Sequence, residues 1–175
     1  MNNPNYKILL NQIKAFVFDV DGVLTDGKIL INSDGEMLRQ MDTKDGFALK
    51  YALNKGFRVG IISGGTNQGV RDRLELLGVD KVYLGMHEKD VAFEDFIKNY
   101  DLKADEVLYM GDDIPDISVM KKVGVATCPQ DAVTDVKKIV HYVSHKKGGD
   151  GCVREILEQV LRVQGKWMTP EKTKS

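Results

Sequence analysis

The chain has 175 residues, 42% of them hydrophobic and 29% charged, enough for one globular domain with a proper core and too few for a second catalytic domain. Its 25 basic and 26 acidic residues leave a formal net charge of -1, which excludes the one-sided basic footprint of a nucleic-acid binder and leaves phosphate-bearing small molecules open. Neither an apolar run of about 18 residues nor a positively headed signal peptide is present, so the chain reads as a cytoplasmic enzyme with no membrane partner.

Along the chain, short β-branched runs alternate with helix-period segments, the signature of βαβ units and a parallel sheet covered on both faces. The first strand is expected over 15–20, and its exit reads Asp19-Val20-Asp21-Gly22. In open α/β sheets ligands sit beyond the carboxyl ends of the strands, so both aspartates are aimed at a crevice. Residues two apart on an extended chain share a face. Asp19 and Asp21 can therefore approach one hard cation such as Mg²⁺, with Asp19 also placed to attack phosphorus. An Asx-type turn closed by Asp21 and Gly22 explains one aspartate well and the pair poorly.

Next, Lys28-Ile29-Leu30-Ile31, Asn32-Ser33-Asp34-Gly35 and Glu36-Met37-Leu38-Arg39 read as a β-hairpin over about 28–39 that turns at Asp34-Gly35. A two-stranded ribbon is marginal by itself and packs either on the body or on other subunits. A helix over 46–54 leads to a strand over 57–62, which delivers Ser63-Gly64-Gly65 to the same edge as Asp19. There the hydroxyl and flexible amides can hold a phosphoryl oxygen, or Ser63 only caps the helix over 66–77. The third strand, 81–84, precedes His87-Glu88-Lys89-Asp90 and a helix over 89–99. Lys89 can offset charge on a phosphate and an aspartate, although an isolated lysine is usually a solvated surface charge, and His87 reads as a loop or capping residue. The fourth strand, 106–110, ends in Gly111-Asp112-Asp113-Ile114-Pro115-Asp116. Three acids within five residues serve a helix macrodipole or a cation, and their number after a buried strand favours the cation.

A helix over 114–121, a strand over 124–127, a helix over 132–138 and a strand over 139–143 complete the alternation, with Gly56, Gly78 and Gly124 expected as left-handed caps. Segment 148–151 reads as a loop into the final helix or as a subunit contact. Trp167 reads as a packing residue or as cover for a neighbour's site, and the polar segment 169–175 as a mobile tail after one domain over 1–168. Cys128 and Cys152 lack CxxC spacing and are expected to be reduced thiols, neither a disulfide nor a zinc site.

Individually these signals are weak to moderate, but their order is specific. DxDG, then Ser, then Lys, then GDDxxD, each after its own strand, resembles the haloacid dehalogenase superfamily of phosphotransferases over most of the chain. The resemblance implies an α/β, Rossmann-like parallel sheet flanked by helices, with Asp19 as the nucleophile that forms an aspartyl-phosphate. It makes Asp21 the general acid and base, which also gives Mg²⁺ its backbone carbonyl. Ser63, Gly64 and Lys89 would hold the phosphoryl group, Asp19 and Asp112 would bind Mg²⁺ directly, and Asp113 and Asp116 would support them from behind. The intervals that carry a cap domain in many members are too short here, and only the hairpin occupies the first.

A capless body with a projecting hairpin, together with Asp19-Val20-Asp21-Gly22-Val23-Leu24-Thr25-Asp26-Gly27, Lys44-Asp45-Gly46 and the GGxGxxRE segment 148–155, resembles the 3-deoxy-D-manno-octulosonate 8-phosphate phosphatases. That family implies a homotetramer whose hairpins pack together and whose neighbouring subunits help close each site. It also implies a small-molecule phosphorylated keto-sugar acid as substrate, in lipopolysaccharide precursor synthesis; close relatives act on nine-carbon sialic-acid-type 9-phosphates. Many octulosonate phosphatases carry arginine where this chain has Gly65, which leaves open whether Arg71, Arg73 or a neighbour's Arg154 meets the substrate carboxylate. Two other classes share parts of the pattern. A receiver-like signalling domain carries its acidic pair and its acceptor in the opposite order, and a noncatalytic scaffold has no need of the intact set. A phosphomutase without a cap would expose its intermediate to water.

Overall fold

The computed structural model describes residues 5–169, so the expected tail lies outside the described residues beyond Thr169. Six parallel strands form the main sheet: β1 (Ala15–Phe18), β4 (Arg58–Ile62), β5 (Lys81–Tyr83), β6 (Val107–Met110), β7 (Val125–Cys128) and β8 (Tyr142–Val143), in the order β5-β4-β1-β6-β7-β8. β1, β6 and β7 are buried throughout, as largely apolar sequences require of strands covered on both faces. Alternate residues serve opposite layers. Phe16 and Phe18 pack with Leu49 of α2 (Thr43–Asn54) and with Ile156 and Leu157 of α7 (Cys152–Val163), while Val17 packs with Phe93 and Phe96 of α4 (Lys89–Asn99). The remaining helices are α1 (Tyr6–Leu9), α3 (Gln68–Leu76), α5 (Ile117–Met120) and α6 (Thr134–Lys137).

β1 is shorter than its apolar run suggests. The side chain of Asp19 accepts the Val20 N–H at 2.7 Å and bends the chain out of the sheet. A wide turn over 20–24 follows, closed by the Thr25 N–H donating to the Val20 carbonyl at 3.1 Å. Gly22 sits in it with a φ of 86°, which a side chain would strain, and a Cβ there would also overlap the Asp112 carboxylate. Gly124 corrects a second expectation: it is not left-handed, and its missing side chain instead makes room for the Asp105 carbonyl. The helix expected over 114–121 divides into a tight turn at Ile114–Asp116 and α5, with Pro115 in the first turn. The short α1 was too brief for apolar periodicity to signal. It is held by the Tyr6 hydroxyl donating to Gln159 at 2.7 Å and by stacking of Tyr6 on Tyr142 at 4.8 Å.

The hairpin pairs β2 (Leu30–Ile31) with β3 (Met37–Leu38) in antiparallel register, and Asn32 Oδ1 closes its loop by accepting the Asp34 and Glu36 N–H groups. It projects from the sheet and stays exposed, but its exit is anchored, because the Asn67 amide at the start of α3 donates to the Met37 carbonyl at 2.9 Å. Trp167 packs on Tyr51 of α2 at 5.0 Å between ring centres. Cys128 and Cys152 are free and both lie buried.

The packing of α2 on α7 contains one electrostatic weak point. Asp45, in the first turn of α2, is 1% exposed; its Oδ1 accepts the Arg154 N–H at the start of α7, while Oδ2 is buried without a partner. Burial pushes its carboxyl up to about 6, against the hydrogen bond from the Arg154 amide, and nearby Asp42 adds to the rise. Because the unfolded aspartate titrates near 3.8, the folded chain favours the protonated form, and the stability linked to it is whole below about pH 4 and lost as pH rises through 6. Asp45→Asn is therefore expected to stabilise the fold by about 1–2 kcal/mol at pH 7.5 and to change little at pH 4, read from urea midpoints at the two pH values.

Candidate active site at the carboxyl ends of four strands

β1, β4, β5 and β6 each end on a chemically active residue, and neighbouring parallel strands bring those ends together. Asp19 follows β1, Ser63 follows β4, Lys89 opens α4 after β5, and Asp112 follows β6 by one residue. All seven side chains singled out in the sequence, Asp19, Asp21, Ser63, Lys89, Asp112, Asp113 and Asp116, line one cavity of about 400 Å³, with Gly64, Gly65 and His87 in its wall. Arg71, Arg73 and Arg154 do not line it. Arg71 donates to the Val82 carbonyl, and Arg154 lies over the rings of Phe47 and Trp167.

At the centre, the Lys89 ammonium lies 2.9 Å from Asp19 Oδ2 and 2.7 Å from Asp116 Oδ1, all three side chains being 10% exposed or less. Burial alone would lower the lysine pKa, but Asp116 and Asp19 raise it, so the ammonium stays charged. Asp116 is saturated. One oxygen accepts from Lys89 and from the Tyr109 hydroxyl at 2.6 Å, and the other accepts the Asp112 and Asp113 N–H groups at 3.0 and 3.2 Å. Burial, reinforced by Asp116, holds the Tyr109 hydroxyl far above its usual range, which keeps it a donor. Tyr109 escaped the sequence reading, although a lone hydroxyl in an otherwise apolar strand is a signal.

Asp19 and Asp112 are the acids with coordination left to offer. Burial pushes both up to about 7, Asp116 adding to the rise of Asp19, and Asp19 and Asp116 to that of Asp112. Carboxylate oxygens of Asp19, Asp112 and Asp116 lie within 4.8 Å of one another. Such an all-oxygen, anion-rich set suits a hard divalent cation, whose charge would relieve the crowding. Asp21 stands apart from that cluster. Its carboxylate turns to Arg39, a residue the sequence reading overlooked, whose Nε and Nη2 donate to Oδ1 and Oδ2 at 3.1 and 3.2 Å. Ser63, 2% exposed, accepts the Gly65 N–H on its Oγ at 3.1 Å, so it shapes the glycine loop as well as presenting a hydroxyl.

Segment 148–151 finds its place here. The Gly149 N–H and the Cys152 thiol both donate to the Val23 carbonyl, at 2.9 and 3.3 Å, and the Gly148 N–H donates to Asp131 at 3.0 Å. A Cβ on Gly148 would overlap the Gly22 carbonyl oxygen, so the two backbones touch with nothing between them. Gly148→Ala is expected to shift the turn that carries Asp21 and to lower turnover by about a hundredfold, with circular dichroism confirming that the fold survives.

Comparison with known proteins agrees with this geometry. Residues 85–156 match the haloacid dehalogenase-like hydrolases. The chain is 36% identical, over 94% of its length and 87% of the relative's, to the 3-deoxy-D-manno-octulosonate 8-phosphate phosphatase KdsC of Salmonella typhimurium. A crystal structure of the Yersinia pestis 3-deoxy-D-manno-octulosonate 8-phosphate phosphatase superposes with a TM-score of 0.91 at 32% identity, covering 93% of this chain and 88% of that one. The Moraxella catarrhalis enzyme, solved with magnesium, phosphate and KDO, gives 0.89 at 29% identity, covering 93% and 94%. With relatives this similar across nearly its whole length, the chain belongs to the 3-deoxy-D-manno-octulosonate 8-phosphate phosphatase family of the haloacid dehalogenase superfamily.

Proposed function

We propose that this protein is a Mg²⁺-dependent phosphatase that hydrolyses 3-deoxy-D-manno-octulosonate 8-phosphate to the free keto-sugar acid and phosphate, within one domain over 1–168. The observation that carries the reading is the convergence of Asp19, Ser63, Lys89 and Asp112 on one cavity, in a chain so similar to phosphatases of that name. In the first step an Asp19 oxygen bonds to phosphorus as the bond to the sugar oxygen breaks, and Asp21 gives its proton to the departing oxygen. In the second, water bonds to phosphorus, the bond to Asp19 breaks, and Asp21 takes the proton from the water. Lys89, Ser63 Oγ and the Gly64 N–H hold the phosphoryl oxygens in both steps. Asp19 and Asp112, with the Asp21 carbonyl, would hold Mg²⁺, which when bound supplies positive charge to the phosphoryl oxygens. Asp113 and Asp116 fix the Asp112 loop.

The same reading makes the protein a cytoplasmic homotetramer. Support for assembly comes from the hairpin, where Ile29, Leu30, Ile31, Met37 and Leu38 are between 43% and 68% exposed, an apolar ribbon of the kind that marks an interface. No helix among the described residues is long and apolar enough to cross a membrane.

Phosphate release with Mg²⁺ is expected to be fastest from the eight-carbon acid phosphate, compared with a nine-carbon keto-sugar 9-phosphate and a simple sugar phosphate, and to vanish in Asp19→Asn while the fold persists. Preference for the nine-carbon acid would move the substrate and keep the mechanism; full activity in the mutant would end it. Ile31→Asp, measured by light scattering, is expected to give species smaller than a tetramer.

A further inference from the structure

Arg39 closes both oxygens of Asp21 in a two-pronged ion pair, and its Nη1 is spent on the Met37 carbonyl at 2.9 Å. Its side chain is 8% exposed, against 33% for that of Asp21. A guanidinium fork occupies one lone pair on each Asp21 oxygen and holds the carboxylate turned toward Arg39, so Asp21 is not free to turn to a leaving group or a water in this state. Removing the guanidinium altogether would leave a charge unpaired, so its release calls for another anion.

The surroundings indicate where that anion comes from. The cavity of Asp19 is lined by five carboxylates against Lys89, which is already committed to Asp19 and Asp116. On its other side Arg39 walls a second cavity, of about 360 Å³, with Arg73, Asn67 and apolar groups and no acid in its lining. Gly65 stands where the two approach each other: a Cβ on it would lie 3.3 Å from Asp21 Oδ2 and 3.4 Å from Arg39 Nη2. With no side chain on Gly65, a ligand that takes the place of Asp21 can approach Arg39 Nη2 from that side.

We propose that Arg39 binds the substrate carboxylate and, in turning to it, releases Asp21 for proton transfer. This rests on the keto-sugar acid phosphate reading above, since such a substrate carries its phosphate and its carboxylate at opposite ends of one sugar. One carboxylate replaces another on Arg39, so the buried guanidinium is paired before and after the exchange. Substrate recognition and activation of the acid and base become one event. A phosphate ester without a carboxylate binds but leaves Asp21 clamped.

The test compares wild type, Arg39→Met and Arg39→Lys with Mg²⁺ on the eight-carbon acid phosphate, the nine-carbon acid phosphate and ribose 5-phosphate. Arg39→Met is expected to lower kcat/KM for the better acid about a hundredfold, chiefly through KM, and to raise kcat for ribose 5-phosphate several-fold because Asp21 is free. Arg39→Lys, which keeps a charge without the fork, should fall between, and it decides the same ratio if the methionine variant does not fold. An equal loss on acids and ribose 5-phosphate would make Arg39 a scaffold residue and overturn the inference, as would acids that keep their kcat/KM. Wild-type preference for the nine-carbon acid would overturn the eight-carbon reading while Arg39 is still judged by the ratio; preference for ribose 5-phosphate would overturn both.

Discussion

The Lys89 ammonium, set between Asp19 and Asp116, is the interaction on which the rest of the site depends. Hydrophobic burial of four strands brings their ends into one neighbourhood, but it does not fix the angles at which side chains leave them. The ion cluster does, because one arm comes from the exit of β1, one from the start of α4, and one from the turn before α5. Taking Lys89 away would leave two buried carboxylates facing each other without compensation, a penalty of several kcal/mol in buried pairs generally. The fold tolerates the cluster because Tyr109 and two backbone amides satisfy what Lys89 leaves over on Asp116.

That arrangement divides the acids by what they have left to give. Asp116 spends both oxygens inside the protein and acts as a strut, whereas Asp19 and Asp112, driven upward in pKa by burial first and then by neighbouring carboxylates, keep the capacity to meet a cation. Asp21 belongs to neither set, being paired across to the hairpin exit. The hairpin exit is therefore joined to the turn after β1 through the Arg39 side chain.

What the sequence revealed was local. Apolar runs of four or five residues betray buried strands, and a carboxylate, hydroxyl or lysine immediately beyond one is visible without any knowledge of partners. The pairings were hidden because they are long in sequence: Asp21 and Arg39 are 18 residues apart, Lys89 and Asp116 27. Nothing about Arg39 distinguishes it from a solvated hairpin charge until the hairpin exit is seen folded back over the turn. Gly124 misled for the same reason, since the Asp105 carbonyl that requires a glycine there makes itself known only in three dimensions. β1 ends two residues early because the hydrogen bond from the Val20 N–H to the Asp19 carboxylate outcompetes the strand preference of Val20.

The brace on the turn after Asp19 has a bearing on when that turn takes its final shape. Val20–Leu24 leaves the ribosome well before Gly148, Gly149 and Cys152, which press on it. A nascent chain grown as far as Asp116 owns every strand-end acid but lacks the backbone that locks the turn, and contacts so distant in sequence form late. The geometry of that turn thus waits for the segment that opens α7, and a chain that stops at Asp116 carries the strand-end acids without it.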